Sequence, residues 1–366
     1  MDALESNELT GSDTEAGNAC PESRTCGIPK LAVIISCFNY EAFVERAIRS
    51  VQDQKRDDCE LVVVDDGSTD GSWEVIVRCG VRAFRIDNGG QLAACLFGLD
   101  RTRAPFVFFL DADDELNPGA LTAIMDALDE RVAKVQFALT MIDDDDNVIG
   151  AHSLLDAFRG RDGLLNEVLR RGVYKTPPTS GNVFRRDVCE LLREVDYDRA
   201  VDGVILFAAP LFGDVVSLSE QLGSYRVHTR NDSRVGQIPT AEILERDINR
   251  FVARTEHLRE IMRRLVPHRR LVNSDKAFYY RERKFCFDIV SGDRPSLAAL
   301  PRLLAALAFE PYSLKPKLAM LSFFVLGSVV SNERAKLLLA YRSKSGNRST
   351  FGFIRELFRR PVPGGG

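Results

Sequence analysis

With 366 residues, 45% of them hydrophobic, the chain has material for two domains or one large domain with an appendage, and enough apolar side chain to fill a core. The net charge of −4 conceals an asymmetry: residues 241–366 carry 24 Lys and Arg against 12 Asp and Glu, and residues 1–240 carry 25 against 41, so the two parts are expected to meet different partners. No run reaches the ~20 apolar residues of a membrane-spanning helix.

Residues 1–28 are acidic and polar, without the basic start and apolar core of a signal peptide, and read as a disordered leader. Eight cysteines, at 20, 26, 37, 59, 79, 95, 189 and 286, include no C-x-x-C pair. They read as reduced thiols of a cytosolic protein rather than a disulfide framework.

From Lys30 onward, β-type runs alternate with helical patterns. LAVIIS (31–36) predicts a strand buried on both faces, and EAFVERAIRSVQDQ (41–54) places Phe43, Val44, Ala47, Ile48 and Val51 at helical spacing. The unit recurs as ELVVV (60–64) with SWEVIVRCG (72–80), then VRAFRI (81–86) with GGQLAACLFGLDRT (89–102). PFVFFL (105–110) precedes a helix expected over about 118–128. Strands alternating with helices predict a mainly parallel sheet covered on both faces, with ligands at the carboxyl ends of the strands.

A strand is expected at VQFALTMI (135–142), followed by a solvated turn at DDDDN (143–147). In residues 241–266, Leu244, Ile248, Phe251, Thr255, Leu258, Met262 and Leu265 form a heptad stripe. It suits a helix packed on its own domain or, alternatively, oligomerisation. LAMLSFFVLGSVVSN (318–332) is uncharged between basic segments, which predicts a membrane-surface or buried helix.

Two acidic clusters follow apolar strands: LVVVDDGSTDGS (61–72) and FFLDADDEL (108–116). In a parallel sheet both lie on one edge, where like charges are costly unless a cation or a donor-bearing ligand compensates them. Asp111 and Asp113 suit a hard divalent ion sharing phosphate oxygens. A calcium-sensing loop is excluded: begun at Asp66 it has Val77 at position twelve, and begun at Asp111 it has Leu116 where glycine is required.

LAVIISCFNYEAFVERAIRSVQDQ, ELVVVDDGSTDGS and NGGQ followed by FVFFLDADDELNPGAL resemble three successive signatures of family 2 glycosyltransferases, and residues 179–233 resemble that family's acceptor half less closely. The resemblance implies an α/β, GT-A type, Rossmann-like mainly parallel sheet flanked by helices, here with a C-terminal helical extension. It covers a glycosyltransferase domain (29–235, its nucleotide-sugar half 29–132 and its acceptor half 133–235), while composition sets off a leader (1–28) and a helical basic tail (236–366). It also implies an inverting transfer of sugar from a UDP- or dTDP-linked donor to an acceptor hydroxyl, in synthesis of a surface polysaccharide or glycolipid.

Carried onto this sequence, Ser36 and Phe38 flank the base, Asp65 accepts an imide N–H, and Asn39, Gly67, Ser68, Asn88, Gln91, Asp111 and Arg226 complete the nucleotide-sugar set. Asp111, Asp113 and Asp114, with His228, hold Mg2+ or Mn2+. Asp202 is the implied base, with Asp196, Asp198 and Asp214 as rivals. Two departures stand out: Val201 replaces the usual acid before Asp202, and Cys95 and Leu96 replace an Arg-Asn pair, so any contact of that arginine to the donor comes from elsewhere.

The C-terminal basic clusters framing 318–340 suit an anionic membrane and a saccharide or lipid-linked acceptor at the cytoplasmic face. Nucleic acid is not expected, because stacking aromatics are not interleaved with those clusters. A sugar nucleotidyltransferase or a degenerate nucleotide-binding scaffold are the alternatives; the former lacks a Gly-rich phosphate loop after the first strand.

Overall fold

The computed structural model describes residues 14–16, 28–54, 56–152, 155–228 and 239–343. Most of the acidic leader, the chain after His228 as far as 238, and Lys344, Arg348, Arg355, Arg359 and Arg360 lie outside the described residues.

The chain divides into two compact units, one formed by Met1–Leu164 and Lys175–Val227, the other by Leu165–Tyr174 and His228–Gly366. In the first, the strands are β1 (Thr14–Ala16), β2 (Leu31–Cys37), β3 (Cys59–Asp65), β4 (Arg82–Arg85), β5 (Phe106–Asp111), β6 (Glu115–Leu116), β7 (Val132–Ile142), β8 (Val148–His152), β9 (Phe158–Gly160), β10 (Asn182–Arg185) and β11 (Asp214–Arg226). They form one sheet in the order β1-β4-β3-β2-β5-β10-β7-β11-β6, with β8 on β7 and β9 on β11. β4, β3, β2 and β5 are parallel neighbours, β10 is antiparallel to both β5 and β7, and β7 and β11 are again parallel.

Helices α1 (Val44–Gln52), α2 (Ser72–Arg78), α3 (Gln91–Asp100) and α4 (Ala120–Asp126) are the crossovers that parallel strands require. The apolar positions of α1, Val44, Ala47, Ile48 and Val51, are buried in the same core as the inward side chains of β2 and β5. At Gly98 of α3, a Cβ would come within 2.5 Å of Ile34 Cγ2, so only glycine lets this helix lie so close to β2. From β2 the chain first builds outward to β3 and β4, then returns to place β5 on the other side of β2. The strand order therefore reverses at β2, where an open α/β sheet has its crevice.

Beyond β7 come α5 (Asp162–Arg171), α6 (Arg186–Cys189) and α7 (Val204–Phe212). The DDDDN stretch is the β7–β8 turn: Asp143 Oδ1 accepts the N–H groups of Asp145 (3.0 Å) and Asn147 (2.9 Å).

The second unit contains α8 (Ala241–Leu265), α9 (Phe278–Ser291), α10 (Leu300–Ala308), α11 (Leu314–Val329) and α12 (Asn332–Ser343). The stripe of α8 is turned into its own unit: Leu244, Phe251, Thr255, Leu258 and Met262 are buried, and the Phe251 ring lies 4.9 Å from that of Tyr279 on α9. Among the described residues no helix is long and apolar enough to cross a membrane.

Candidate active site

The register of the parallel strands sets the geometry. Cys37 of β2 is level with Asp65 of β3, and Ser36 is level with Asp111 of β5. The two carboxylates thus flank the end of β2 on one edge of the sheet, two strand spacings or roughly 10 Å apart. Phe38 follows immediately and is 43% exposed.

The adjacent Asp65 and Asp66 have different roles. Asp66 Oδ1 and Oδ2 accept the backbone N–H groups of Gly89 and Gly90, each at 2.8 Å, and the Asn88 amide donates to the Asp66 carbonyl (2.9 Å). Asp66 therefore clamps the N-G-G entry to α3. Gly67, with φ of +72°, allows this approach, since a Cβ there would sit 2.9 Å from the Asn88 nitrogen. Asp65 is buried, its Oδ2 accepting Ser68 N–H (3.2 Å) and pairing with Arg85 (3.1 Å). Its Oδ1 is buried without a hydrogen-bond partner, and burial raises its carboxyl above the ordinary range.

Loop 39–41 is fastened to loop 68–72. Asn39, at φ of +59°, accepts Thr69 N–H (2.8 Å), Ser68 Oγ accepts Asn39 N–H (3.0 Å), and Ser72 Oγ accepts Tyr40 N–H (2.9 Å). Asn39 and Ser68, expected at the nucleotide, thus also hold the walls of the crevice together.

On the other side, Asp113 and Asp114 are buried, and Asp114 Oδ2 has no hydrogen-bond partner. Burial first, then the charges of Asp113 and Asp202, pushes the Asp111 carboxyl well above its ordinary value; burial, then Asp113 and Asp111, does the same to Asp114. Ser180, which the sequence reading did not single out, opposes this. Its Oγ accepts Asp111 N–H (3.1 Å), and its hydroxyl bonds lower both carboxyls. Ser180 sits in the turn before β10, whose T-P-P-T-S-G composition marks a rigid loop but not its neighbours.

Gln91, at the start of α3, links the two halves of the site. Its amide donates to Asp111 Oδ1 (2.6 Å) and its carbonyl accepts Val201 N–H (3.2 Å). Asp202 follows directly, near enough for its charge to act on Asp111. Val201, where the family resemblance implies an acid, is buried and fills its place by packing. Asp214 begins β11, level with Val132 and roughly 20 Å along the strand direction from Asp111, and it pairs with Arg159 (3.0 Å). This removes it as a rival base. Asp198 caps its own loop, accepting Ala200 N–H (3.2 Å), and Asp196 is exposed.

Arg226 departs from the expectation of a diphosphate contact. It is fully buried, and its guanidinium is committed to the Asp113 and Asp143 carbonyls (3.1 and 2.8 Å), Asp146 Oδ1 (2.6 Å) and Glu115, while its N–H donates to Asp114 Oδ1 (2.9 Å). The physical reason is its place at the end of β11, beside β6, where it braces the acidic turn from behind. His228 begins the second compact unit.

Among the described residues no three His, Cys, Asp or Glu side chains are gathered into a metal-binding cluster. The donor chemistry nevertheless fits Mg2+ or Mn2+: the donors at this edge are hard carboxylate oxygens, one is buried and unpartnered, and Mg2+ characteristically takes one or two carboxylates with phosphate oxygens and water.

The Glycosyl transferase family 2 model matches residues 32–192. An uncharacterized glycosyltransferase of Nostoc sp. is 35% identical over 225 residues, 58% of this chain and 69% of that protein. The GalNAc(5)-diNAcBac-PP-undecaprenol beta-1,3-glucosyltransferase of Campylobacter jejuni is 36% identical over 132 residues, 33% of this chain and 41% of that protein. Among solved structures, S. aureus TarS 1-349 in complex with UDP-GlcNAc superposes with a TM-score of 0.50 at 17% identity, covering 85% of this chain and 86% of that one. The mixed, mostly parallel sheet with flanking helices is the GT-A type fold. The chain belongs to glycosyl transferase family 2.

Proposed function

We propose that the chain transfers a sugar, with inversion, from a UDP- or dTDP-sugar to the hydroxyl of a saccharide or lipid-linked acceptor. The observation that carries this reading is the pair of buried, unpartnered carboxylate oxygens, Asp65 Oδ1 and Asp114 Oδ2, on the strand and turn that flank the end of β2. An unpaired buried acceptor is costly, and a ligand that brings both an N–H donor and a cation-bridged diphosphate answers both sites. Asp65 accepts the imide N–H of the base while Ser36 and Phe38 border it. Asp111 and Asp113, with Asp114 behind them, would hold Mg2+ or Mn2+, which when bound neutralises charge developing on the leaving diphosphate.

Asp202, whose charge acts on Asp111, takes the proton of the attacking hydroxyl; the Gln91 bridge to the adjacent Val201 ties its loop to Asp111. Arg199 supplies the positive charge that Cys95 and Leu96 do not. It is exposed, packs over Gly90, and acts electrostatically on Asp66. A lipid-linked acceptor and a place in cell-surface glycan synthesis draw support from the undecaprenol-linked substrate in the name of the Campylobacter relative, and a uridine donor from the ligand of the TarS complex. The six cysteines among the described residues are free, which suits the cytoplasmic face of the membrane.

The test is thermal melting with UDP or dTDP, with Mg2+ or Mn2+ and with EDTA. At ligand 100-fold above Kd, the expected stabilisation is about 2.7 kcal/mol in the presence of the metal only. An equal shift in EDTA would remove the metal role of Asp111 and Asp113.

A further inference from the structure

Helix α11 is apolar on two faces. One is buried in its own unit through Phe323, Phe324 and Gly327. At 100° per residue, Leu314, Leu318, Leu321 and Val329 fall on one narrow stripe of the other face, and they are 72%, 53%, 42% and 65% exposed. Phe309, just before the helix, is 87% exposed. An uninterrupted apolar stripe of this kind marks a surface that something covers.

The charges indicate what. Lys315 and Lys317 flank the stripe on its two sides, and residues 311–332 contain no Asp or Glu. Lys317 Nζ donates to the Ala308 carbonyl (2.7 Å), while exposed Lys315, in the first turn, opposes the helix dipole and favours an external anion. A second copy of the chain would bring these lysines together across a self-complementary contact. The chain's own segment 344–366 carries five Arg and Lys against one Glu, so it is repelled as well. An anionic bilayer satisfies both features, taking up the leucines while the lysine heads remain at the phosphates.

We infer that the outer face of α11, with Phe309, is the surface by which this protein lies on an anionic membrane. The inference rests on the lipid-linked acceptor reading only for its purpose, and vesicles without donor or acceptor test it separately. The 366-residue chain is co-sedimented with phosphatidylcholine vesicles, with and without phosphatidylglycerol, alongside Leu318→Gln/Leu321→Gln and Lys315→Gln. Both substitutions are at exposed positions, and unchanged melting checks the fold. The expected result is binding that requires phosphatidylglycerol, falls about tenfold or more in the double variant, and falls about fivefold in Lys315→Gln. Equal binding by the double variant, or no binding by the wild type, overturns the inference. A wild-type dimer in sedimentation velocity that the double variant dissolves would assign the face to a second copy instead.

Discussion

Two neighbouring aspartates at one strand end illustrate how little residue type alone decides. Asp66 is spent on the backbone of Gly89 and Gly90, whereas Asp65 keeps one buried oxygen unpartnered. The sequence made the pair conspicuous and the family resemblance distinguished its members; hydrogen bonds to residues more than 20 positions away supply the physical reason. A buried group unrelated to the acidic edge gives a prediction at this scale. Lys134 of β7 is fully buried, donates to Gln136 Oε1 (3.1 Å) and Thr176 Oγ1 (2.6 Å), and burial holds its amine well below the ordinary lysine range. Between that lowered value and about 10.4 the unfolded chain binds the additional proton, so wild-type stability rises with pH across this window. Lys134→Met removes the slope, and relative to wild type it should be more stable at pH 6 than at pH 9 in paired melting curves. Parallel pH slopes would show that the amine is charged in the fold.

At the scale of elements, the alternation of apolar runs with amphipathic stretches made β2 to β5 and their crossovers legible, to within a few residues at their ends. β10 was not legible. Four residues long and antiparallel, it lies between β5 and β7, whose partner residues are more than 40 positions away in sequence, and no local periodicity reports such an insertion. β11 was hidden for a different reason. Its register shifts between Leu218 and Gly223 break the alternation and bend the strand so that its end pairs with β6. That bend delivers Arg226 to the back of the acidic turn. Arg226→Met should therefore leave Glu115 and Asp146 with Arg46 alone (4.0 and 2.5 Å) and cost about 3 kcal/mol in denaturant unfolding, the low end for a broken buried pair because both carboxylates reach solvent and keep that second cation. A loss below about 0.5 kcal/mol would make the bracing incidental. Ser180→Ala removes the hydroxyl shared by Asp111 and Asp114, with an expected loss of about 1–2 kcal/mol by the same measurement.

For the whole molecule, the charge asymmetry of the sequence follows the two compact units: the acid-rich stretch contains the sheet and its carboxylate edge, and the basic stretch contains the helices around α11. The apolar run 318–332 was ambiguous between membrane surface and core because α11 has an inward and an outward apolar face, and composition cannot separate them. Under the proposed function, the carboxylates of the first unit divide between holding the donor and taking a proton. The most direct test is the rate of sugar transfer by Asp202→Asn, read with nucleotide affinity in the same preparation. The substitution keeps the side chain's shape and removes its basicity, so the rate should fall about 10²–10⁴-fold while affinity stays within about twofold of wild type. Transfer at the wild-type rate would contradict the account.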